Sequence, residues 1–211
     1  MTGNHYQHLM FGSAAKARQR ATGSYQAYGS HTERPDTGPT SLDTRETAMI
    51  RAADQFYVAT TTETGWPYVQ YRSGPAGFLQ VIDNSTLGFA DFAGNNQFVT
   101  AANLDQDDRL AMILVDYPRR QRLKLYGRAR VVERDEDPGL LTRLMDLGTR
   151  VVASTSERSI VVEVEAFDWN CTRSIIPRYD DAYVAELSAL YRREADQLRS
   201  RIADLEAQLG D

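Results

Sequence analysis

From Arg122 to Val131 the chain alternates in character residue by residue. Arg122, Lys124, Tyr126, Arg128 and Arg130 fall on one parity, and Leu123, Leu125, Ala129 and Val131 on the other. A helix would scatter both sets around its circumference, whereas a strand sends successive side chains to opposite faces. The stretch therefore reads as a strand with one packed and one polar face, which commits the chain to a sheet. Two readings of the polar face stand side by side. It is a solvated outer surface, or it lies against an anion. Four neighbouring cations on one face repel one another unless they are screened or matched, so an anionic cofactor across part of the face would relieve that strain.

Shorter runs rich in β-branched and aromatic residues, bounded by turn residues, place further strands over 56–61, 68–72, 77–82, 86–89, 110–116 and 159–167. Glu63-Thr64-Gly65, Asp83-Asn84-Ser85 and Tyr117-Pro118-Arg119-Arg120 supply turns between them. About six short strands at this spacing predict an antiparallel barrel. Trp66, before Pro67, is expected to pack into it. Helices are expected over 14–20, 44–55, 96–104 and 137–147, with residues 31–43 as loop. Ser41 or Asp43 would cap the second of these, with Glu46 as the acidic half of a capping box.

Residues 183–209 read as one amphipathic helix whose apolar positions are Val184, Leu187, Tyr191, Ala195, Leu198, Ile202, Leu205 and Leu209. The steps alternate between three and four except for one extra four, a stutter that locally unwinds a left-handed supercoil. So narrow a seam suits contact with one partner helix, from a second copy, more than burial in a globular core. The expected organisation is an irregular N-terminal arm over 1–45, a barrel domain over 46–180 and a C-terminal helix over 181–211.

Composition narrows the function classes. The chain has 211 residues, enough for one domain with appendages, and a net charge of -5. That charge argues against a general nucleic-acid binder, whose affinity comes from neutralising phosphates. Apart from Lys16 and Lys124 every basic residue is an arginine, so a bound phosphate would meet guanidinium forks. The single cysteine, Cys171, rules out an intrachain disulfide and reads as a small buried hydrophobe in a reducing compartment. No apolar run approaches the roughly 20 residues that span a bilayer. The first residues lack the basic-then-apolar order of a secretory signal, and a cytoplasmic location is expected. The only histidines are His5, His8 and His31. His5 and His8 lack further ligands for a metal, and the barrel region offers no histidine as general base. Ser154-Thr155-Ser156 reads as loop, with no base beside it.

One stretch is suited to an anionic ligand. Arg72 closes a strand, Asp91 closes another, and Gly94-Asn95-Asn96-Gln97 then opens an apolar helical segment. A helix start presents free N–H groups and a positive dipole end, and glycine permits close approach of the backbone.

Five blocks, in order, resemble the pyridoxamine 5'-phosphate oxidase-related family of FMN-binding split barrels. They are Phe56-Tyr57-Val58-Ala59-Thr60 with Gly65-Trp66-Pro67-Tyr68-Val69-Gln70, then Gly74-Pro75-Ala76-Gly77-Phe78-Leu79, then Phe89-Ala90-Asp91-Phe92-Ala93-Gly94-Asn95. The fourth runs from Asp116 through Arg120-Gln121-Arg122-Leu123-Lys124 to Arg130, and the fifth joins Phe167-Asp168-Trp169-Asn170-Cys171 to Pro177-Arg178. The resemblance implies a mainly β fold with flanking helices (α+β), an antiparallel split β-barrel followed by the long C-terminal amphipathic helix. It also implies a homodimer with FMN held between subunits. By the same resemblance Val69, Gln70, Tyr71 and Arg72 line the ring system and ribityl chain, with Arg72 toward the phosphate. Asp91, Asn95, Asn96 and Gln97 match the phosphate and ribityl loop. Arg122 and Lys124 match a strand reaching the flavin from the partner subunit, and Trp169, Asn170 and Arg178 match a closing segment at the flavin's edge.

The implied activity is that of a flavin-dependent oxidoreductase acting on a small molecule. A deazaflavin (F420)-dependent reductase of the same fold and a non-enzymatic flavin carrier or sensor are the alternatives. Relatives commonly carry a basic residue at the position of Asn96 and often a histidine at that of Tyr71. The vitamin-B6 phosphate oxidases proper have basic residues at the positions of Pro67 and Gln97, which argues against that activity here. No residue stands out as a catalytic acid or base.

Overall fold

The computed structural model describes residues 4–148, 155–170 and 172–209. The chain divides into two compact units, residues 1–116 with 121–173, and residues 117–120 with 174–211.

The first unit is built on seven antiparallel strands: β1 (Gln55–Thr61), β2 (Pro67–Ser73), β3 (Gln80–Val81), β4 (Thr86–Phe92), β5 (Arg109–Asp116), β6 (Gln121–Glu133) and β7 (Ser156–Asn170). Their order in the sheet is β2-β1-β5-β6-β7-β4-β3. The fold is a split β-barrel with flanking helices, of mixed α+β class. The alternating strand is β6, with Leu123, Leu125, Gly127 and Ala129 buried as its parity predicts. Its ladder with β7 runs from Arg122↔Asn170 to Glu133↔Arg158 and shifts register between Tyr126 and Gly127. Glycine is required there, because a Cβ at 127 would run into the backbone carbonyl of Glu163.

Inside the sheet Phe56 stacks on Phe78 at 5.4 Å and meets Phe89 edge-on at 5.1 Å. Leu114, Leu123, Leu125 and Ile160 complete this core, each fully buried. Helix α3 (Thr44–Ala52) contributes Met49 and Ile50. The expected capping box is present: the Asp43 side chain caps the helix and Glu46 accepts from the Asp43 N–H at 3.0 Å. The helix stops short of residue 55 because Ala53 turns extended, at φ -68° and ψ 131°, to feed β1. Helix α5 (Pro138–Met145) forms a second cluster, packing Leu140, Leu141 and Leu144 against Ala90, Val132 and Val161. Val161 is therefore buried although it falls on the polar parity of β7.

Other expectations are corrected. The strand placed over 77–82 shrinks to β3, because Gly77 takes φ +93° and the Phe78 N–H closes a turn on Pro75. Trp66 is 73% exposed. It sits in the β1–β2 turn, where Gly65 at φ +84° and reciprocal contacts with Thr62 direct its indole away from the core. Ser156 begins β7 rather than lying in a loop. Cys171 and Ser154 lie outside the described residues.

The N-terminal arm holds more structure than expected: α1 (His5–Met10) precedes α2 (Ser13–Thr22), and two short 3-10 helices follow at Tyr25–Ala27 and Gly29–Glu33. Buried Asn4 ties it together. Its side chain donates to the carbonyls of His31 and Pro35, both at 3.0 Å, and accepts from the Thr37 N–H at 3.0 Å.

The second unit is dominated by α6 (Asp181–Leu209), 29 residues long. Tyr179 stacks on Tyr183 at 5.2 Å, and the Tyr183 N–H donates to Asp180 at 2.7 Å at the helix start. The seam residues Val184, Leu187, Tyr191, Leu198, Ile202 and Leu205 are all exposed. Among the described residues no helix is long and apolar enough to cross a membrane.

Candidate functional site

β2 is one edge of the sheet and β4 lies next to the opposite edge. The sheet nevertheless curls until Arg72 of β2 meets Asp91 of β4, with 3.0 Å between Nη2 and Oδ1. A cavity of about 380 Å³ opens along this split, within the roughly 300–1,000 Å³ range of small-molecule sites.

Three alternate residues of β2, Tyr68, Gln70 and Arg72, line one wall. Tyr68 Oη donates to Gln70 Oε1 at 2.6 Å. Arg72 also reaches Thr100 Oγ1 at 3.5 Å, while its Nε is buried with no hydrogen-bond partner among the described residues. The Arg72–Asp91 contact is an ion pair with poor hydrogen-bond alignment, which leaves Asp91 Oδ1 without a formal bond despite the short distance.

β7 supplies the opposite wall. Arg158 Nη1 stands 3.8 Å from Asp91 Oδ2, its Nε 3.2 Å from Glu133, and its guanidinium 4.8 Å above the Phe98 ring. Asp91 is thus held between two guanidiniums. Burial raises its carboxyl above the usual range, and the attraction of Arg72 and then Arg158 offsets this only in part. The β4–β7 ladder shifts register between Asp91 and Phe92. Ser156 Oγ bridges that irregularity, 2.7 Å from the Asp91 carbonyl and 2.9 Å from that of Arg158. Such bulges re-aim side chains at the rims of sites.

The floor is the loop from Ala93 to Phe98 and the first turn of α4 (Val99–Gln106). The helix begins at 99 rather than 96 because Asn96 and Phe98 adopt left-handed backbone angles, φ 57° and 54°. Asparagine tolerates that region; a bulky phenylalanine there marks local strain. Phe98 occupies the N-cap, and no side chain among the described residues caps α4. Val99, Thr100 and Ala101 of this first turn line the cavity, and among the described residues no side chain accepts from the start of the helix.

Of the residues named from the sequence, Gln70, Arg72, Asp91, Asn95, Asn96 and Gln97 come together around this cavity. Val69 and Tyr71 do not line it. They project from the other face of β2, 61% and 46% exposed, with Tyr71 against Tyr57 at 5.4 Å. Arg122, Lys124, Trp169 and Asn170 sit together at the other end of the β6–β7 ladder. Trp169 Nε1 donates to buried Glu46, and Arg45 lies 3.8 Å over its ring. Arg178 belongs to the second unit, where its guanidinium stands 5.1 Å from the Tyr117 ring.

The cationic face of β6 is matched by the chain's own carboxylates. Lys124 pairs with Asp168 at 2.9 Å, Arg128 with Glu165 at 2.7 Å and Asp108 at 2.8 Å, and Arg130 with Glu136 at 3.6 Å. Lys124 Nζ also donates to Tyr6 Oη at 3.1 Å, and the Tyr6 ring lies 5.7 Å from Tyr126. The charge strain foreseen for this face is thus relieved by carboxylates of β7 and of the segments flanking β5 and β6, and Tyr6 of the arm packs on its Lys124 end. In the arm, His5 Nδ1 lies 2.8 Å from Asp36, a carboxylate the sequence reading did not anticipate. Even so, no cluster of three or more His, Cys, Asp or Glu side chains among the described residues is arranged to hold a metal.

Tyr68, Thr100 and Arg158 were missed. Tyr68 was within reach, since alternation along β2 puts it on the face of Gln70 and Arg72 and turns Val69 and Tyr71 away. Arg158 carries no local mark; only the β4–β7 ladder brings it to Asp91.

The model of the pyridoxamine 5'-phosphate oxidase family matches residues 42–168. No curated protein matches the chain. Among solved structures, HupZ of Group A Streptococcus is similar at 14% identity and a TM-score of 0.50, over 65% of this chain and 99% of that one. An FMN-binding protein from Syntrophomonas wolfei subsp. wolfei matches at 11% identity and a TM-score of 0.41, over 59% and 86% of the two chains. An F420 reductase matches at 21% identity and a TM-score of 0.42, over 57% and 94%. The likeness to HupZ bears on the fold alone.

Proposed function

The chain belongs to the pyridoxamine 5'-phosphate oxidase family, and from that premise we propose that the split between β2 and β4 receives the phosphate end of FMN in an FMN-dependent oxidoreductase. The observation that carries this reading is the buried Nε of Arg72, without a hydrogen-bond partner among the described residues, near the start of α4, which no described side chain caps. Together they offer an anion a guanidinium donor and a set of backbone N–H donors, the combination that suits phosphate.

The residues present fit the group. Arg72 and the first turn of α4 would hold phosphate, with Thr100 Oγ1 as a further donor. Gln70, Asn95, Asn96 and Gln97 provide amide groups for a polyhydroxylated chain. Asp91 keeps Arg72 and Arg158 in place, and its burial confines its charge between them. When bound, the flavin supplies the electron or hydride transfer chemistry; the protein's part is to bind and orient it. The substrate is a small molecule, and no side chain at the cavity is assigned as acid or base.

The remaining residues implied by the family resemblance, Val69, Tyr71, Arg122, Lys124, Trp169, Asn170 and Arg178, do not line this cavity. Of these, Val69 and Tyr71 are exposed on the other face of β2, and in the proposed homodimer that face would meet the partner subunit beside its flavin site. The holo-protein should then sediment at about twice the 23.7 kDa chain mass.

The visible spectrum of the purified protein tests the cofactor. FMN gives paired bands in the blue and near-ultraviolet, whereas a deazaflavin gives one. Apo-protein that fails to bind added FMN in a fluorescence titration removes the proposal.

A further inference from the structure

Helix α6 presents its apolar seam to solvent: Val184, Leu187, Tyr191, Leu198, Ile202 and Leu205 are all exposed. We propose that α6 pairs with α6 of a second copy of this chain as a parallel, in-register two-stranded coiled coil. Glu194 would then face the partner's Arg199, and Arg201 the partner's Glu206.

The identity of the seam residues supports two strands. The seam places Val184, Tyr191, Ala195, Ile202 and Leu209 at first core positions of the heptad, two of them β-branched, and leucine alone, Leu187, Leu198 and Leu205, at the second. β-branched residues at the first position with leucine at the second favour parallel dimers over higher oligomers. The extra step between Tyr191 and Ala195 is one stutter, which such a coil absorbs by local unwinding. A 29-residue helix gives about four heptads of contact.

The charges set orientation and register. In the frame of Ala195, Leu198, Ile202 and Leu205, Glu194 and Arg201 flank the seam on one side, and Arg199 and Glu206 on the other. A parallel, in-register pair brings each residue of the first flank to the residue five places later on the partner. That sets Glu194 against Arg199 and Arg201 against Glu206, opposite in sign both times and repeated by symmetry. A fully overlapped antiparallel pair, with Val184 opposite Leu205, brings like flanks together and sets Arg201 toward Leu190, Arg199 toward Ser188 and Glu206 toward Asp181, matching none. Arg199 now touches Asp196 on its own helix at 3.0 Å. That pair is exposed and contributes little, so it does not prevent exchange for a partner's carboxylate.

The proposal stands apart from the flavin site and is tested in the full chain. In a Cys171→Ser background, Leu205→Cys and, separately, Leu187→Cys should each form an interchain disulfide in a glutathione redox buffer. An in-register parallel seam brings each position against its own copy, at the Cα separation of about 5.5–6 Å that a disulfide needs. Adding Arg199→Glu should lower the equilibrium constant for the Leu205→Cys disulfide roughly tenfold. Adding Glu194→Arg to that variant should restore it, because the pair is rebuilt with reversed polarity. Circular dichroism of each variant should retain its helical signal. Crosslinking at only one of the two positions, none at either in a folded chain, or no rescue by the reciprocal swap would overturn the proposal.

Discussion

Arg72 Nη2 lies 3.0 Å from Asp91 Oδ1, although the two residues sit on strands near opposite edges of the sheet. Among the described residues no backbone ladder joins β2 to β4. Side chains close the barrel on this side, where hydrogen-bonded ladders close it elsewhere, and the cavity occupies the gap they leave.

Removing the guanidinium should therefore act on ligand binding directly. A charge-assisted contact to phosphate contributes roughly 1.5–3 kcal/mol, so Arg72→Ala should weaken FMN binding about 10- to 100-fold. Flavin fluorescence titration of apo-protein reads this. Arg72→Lys, which keeps the charge but loses the fork, should fall between. Unchanged affinity in Arg72→Ala takes this residue out of the site.

The Asp91 carboxyl gives a pH signature. In the unfolded chain it titrates at an ordinary value, about 3.9, whereas burial raises it in the fold. Between the two values the folded protein binds more protons than the unfolded chain. Stability therefore falls as pH rises through that window, and the full cost remains above the raised value. Asp91→Asn cannot titrate. Urea midpoints of its apo form should decline less than wild type as pH rises from about 4 to 7. Asp107 works in the opposite sense and at lower pH. The Arg109 side chain, through its hydrogen bonds, lowers it to about 2, so its contribution is present above the unfolded value and is lost as pH falls toward 2. A steeper decline in Asp91→Asn than in wild type contradicts the burial account.

Glu46 joins the start of α3 to the end of β7. It accepts from the Asp43 N–H at 3.0 Å and from the Trp169 indole while only 5% exposed. Glu46→Ala removes half of a capping box and strands a half-buried indole N–H. A loss of about 2–4 kcal/mol in urea unfolding is expected. A change under about 0.5 kcal/mol, the scale of ordinary surface substitutions, would mean these contacts contribute nothing.

Residues 117–120 and 174–211 form the second compact unit. Deleting residues 182–211 should leave a folded, flavin-binding core with weaker self-association, visible as a shift toward monomer in sedimentation. A truncation that is insoluble or flavin-free would assign α6 to the barrel or its cofactor cleft instead.

Strand periodicity made the sheet readable from sequence, and the Asp43–Glu46 capping box fixed one helix start by local chemistry alone. Of the residues lining the cavity, Gln70, Arg72, Asp91 and the asparagine loop were legible as well, from the strand ends and the glycine-bearing turn that carry them. Arg158 was not, since its place depends on a ladder between β4 and β7, strands separated by most of the barrel sequence. The helix start at Val99 was missed for a related reason. Left-handed backbone at Phe98 is unfavourable for that residue in isolation and persists only where surrounding structure enforces it. Trp66 shows the converse error. An aromatic side chain reads as core until the turn that carries it is known, and Gly65 turns it outward.

A barrel fastened by an ion pair along one side can part there without losing a strand pairing. Widening the gap between β2 and β4 separates Arg72 from Asp91 and leaves the ladders from β1 through β5 and β6 to β7 and β4 intact. A ligand of the proposed site would then enter and leave through a partial opening whose free energy lies well below that of global unfolding. Amide exchange follows from this geometry: ligand should slow it most in the loop 93–98 and along β2, while the central strands exchange at the rate set by unfolding of the whole barrel.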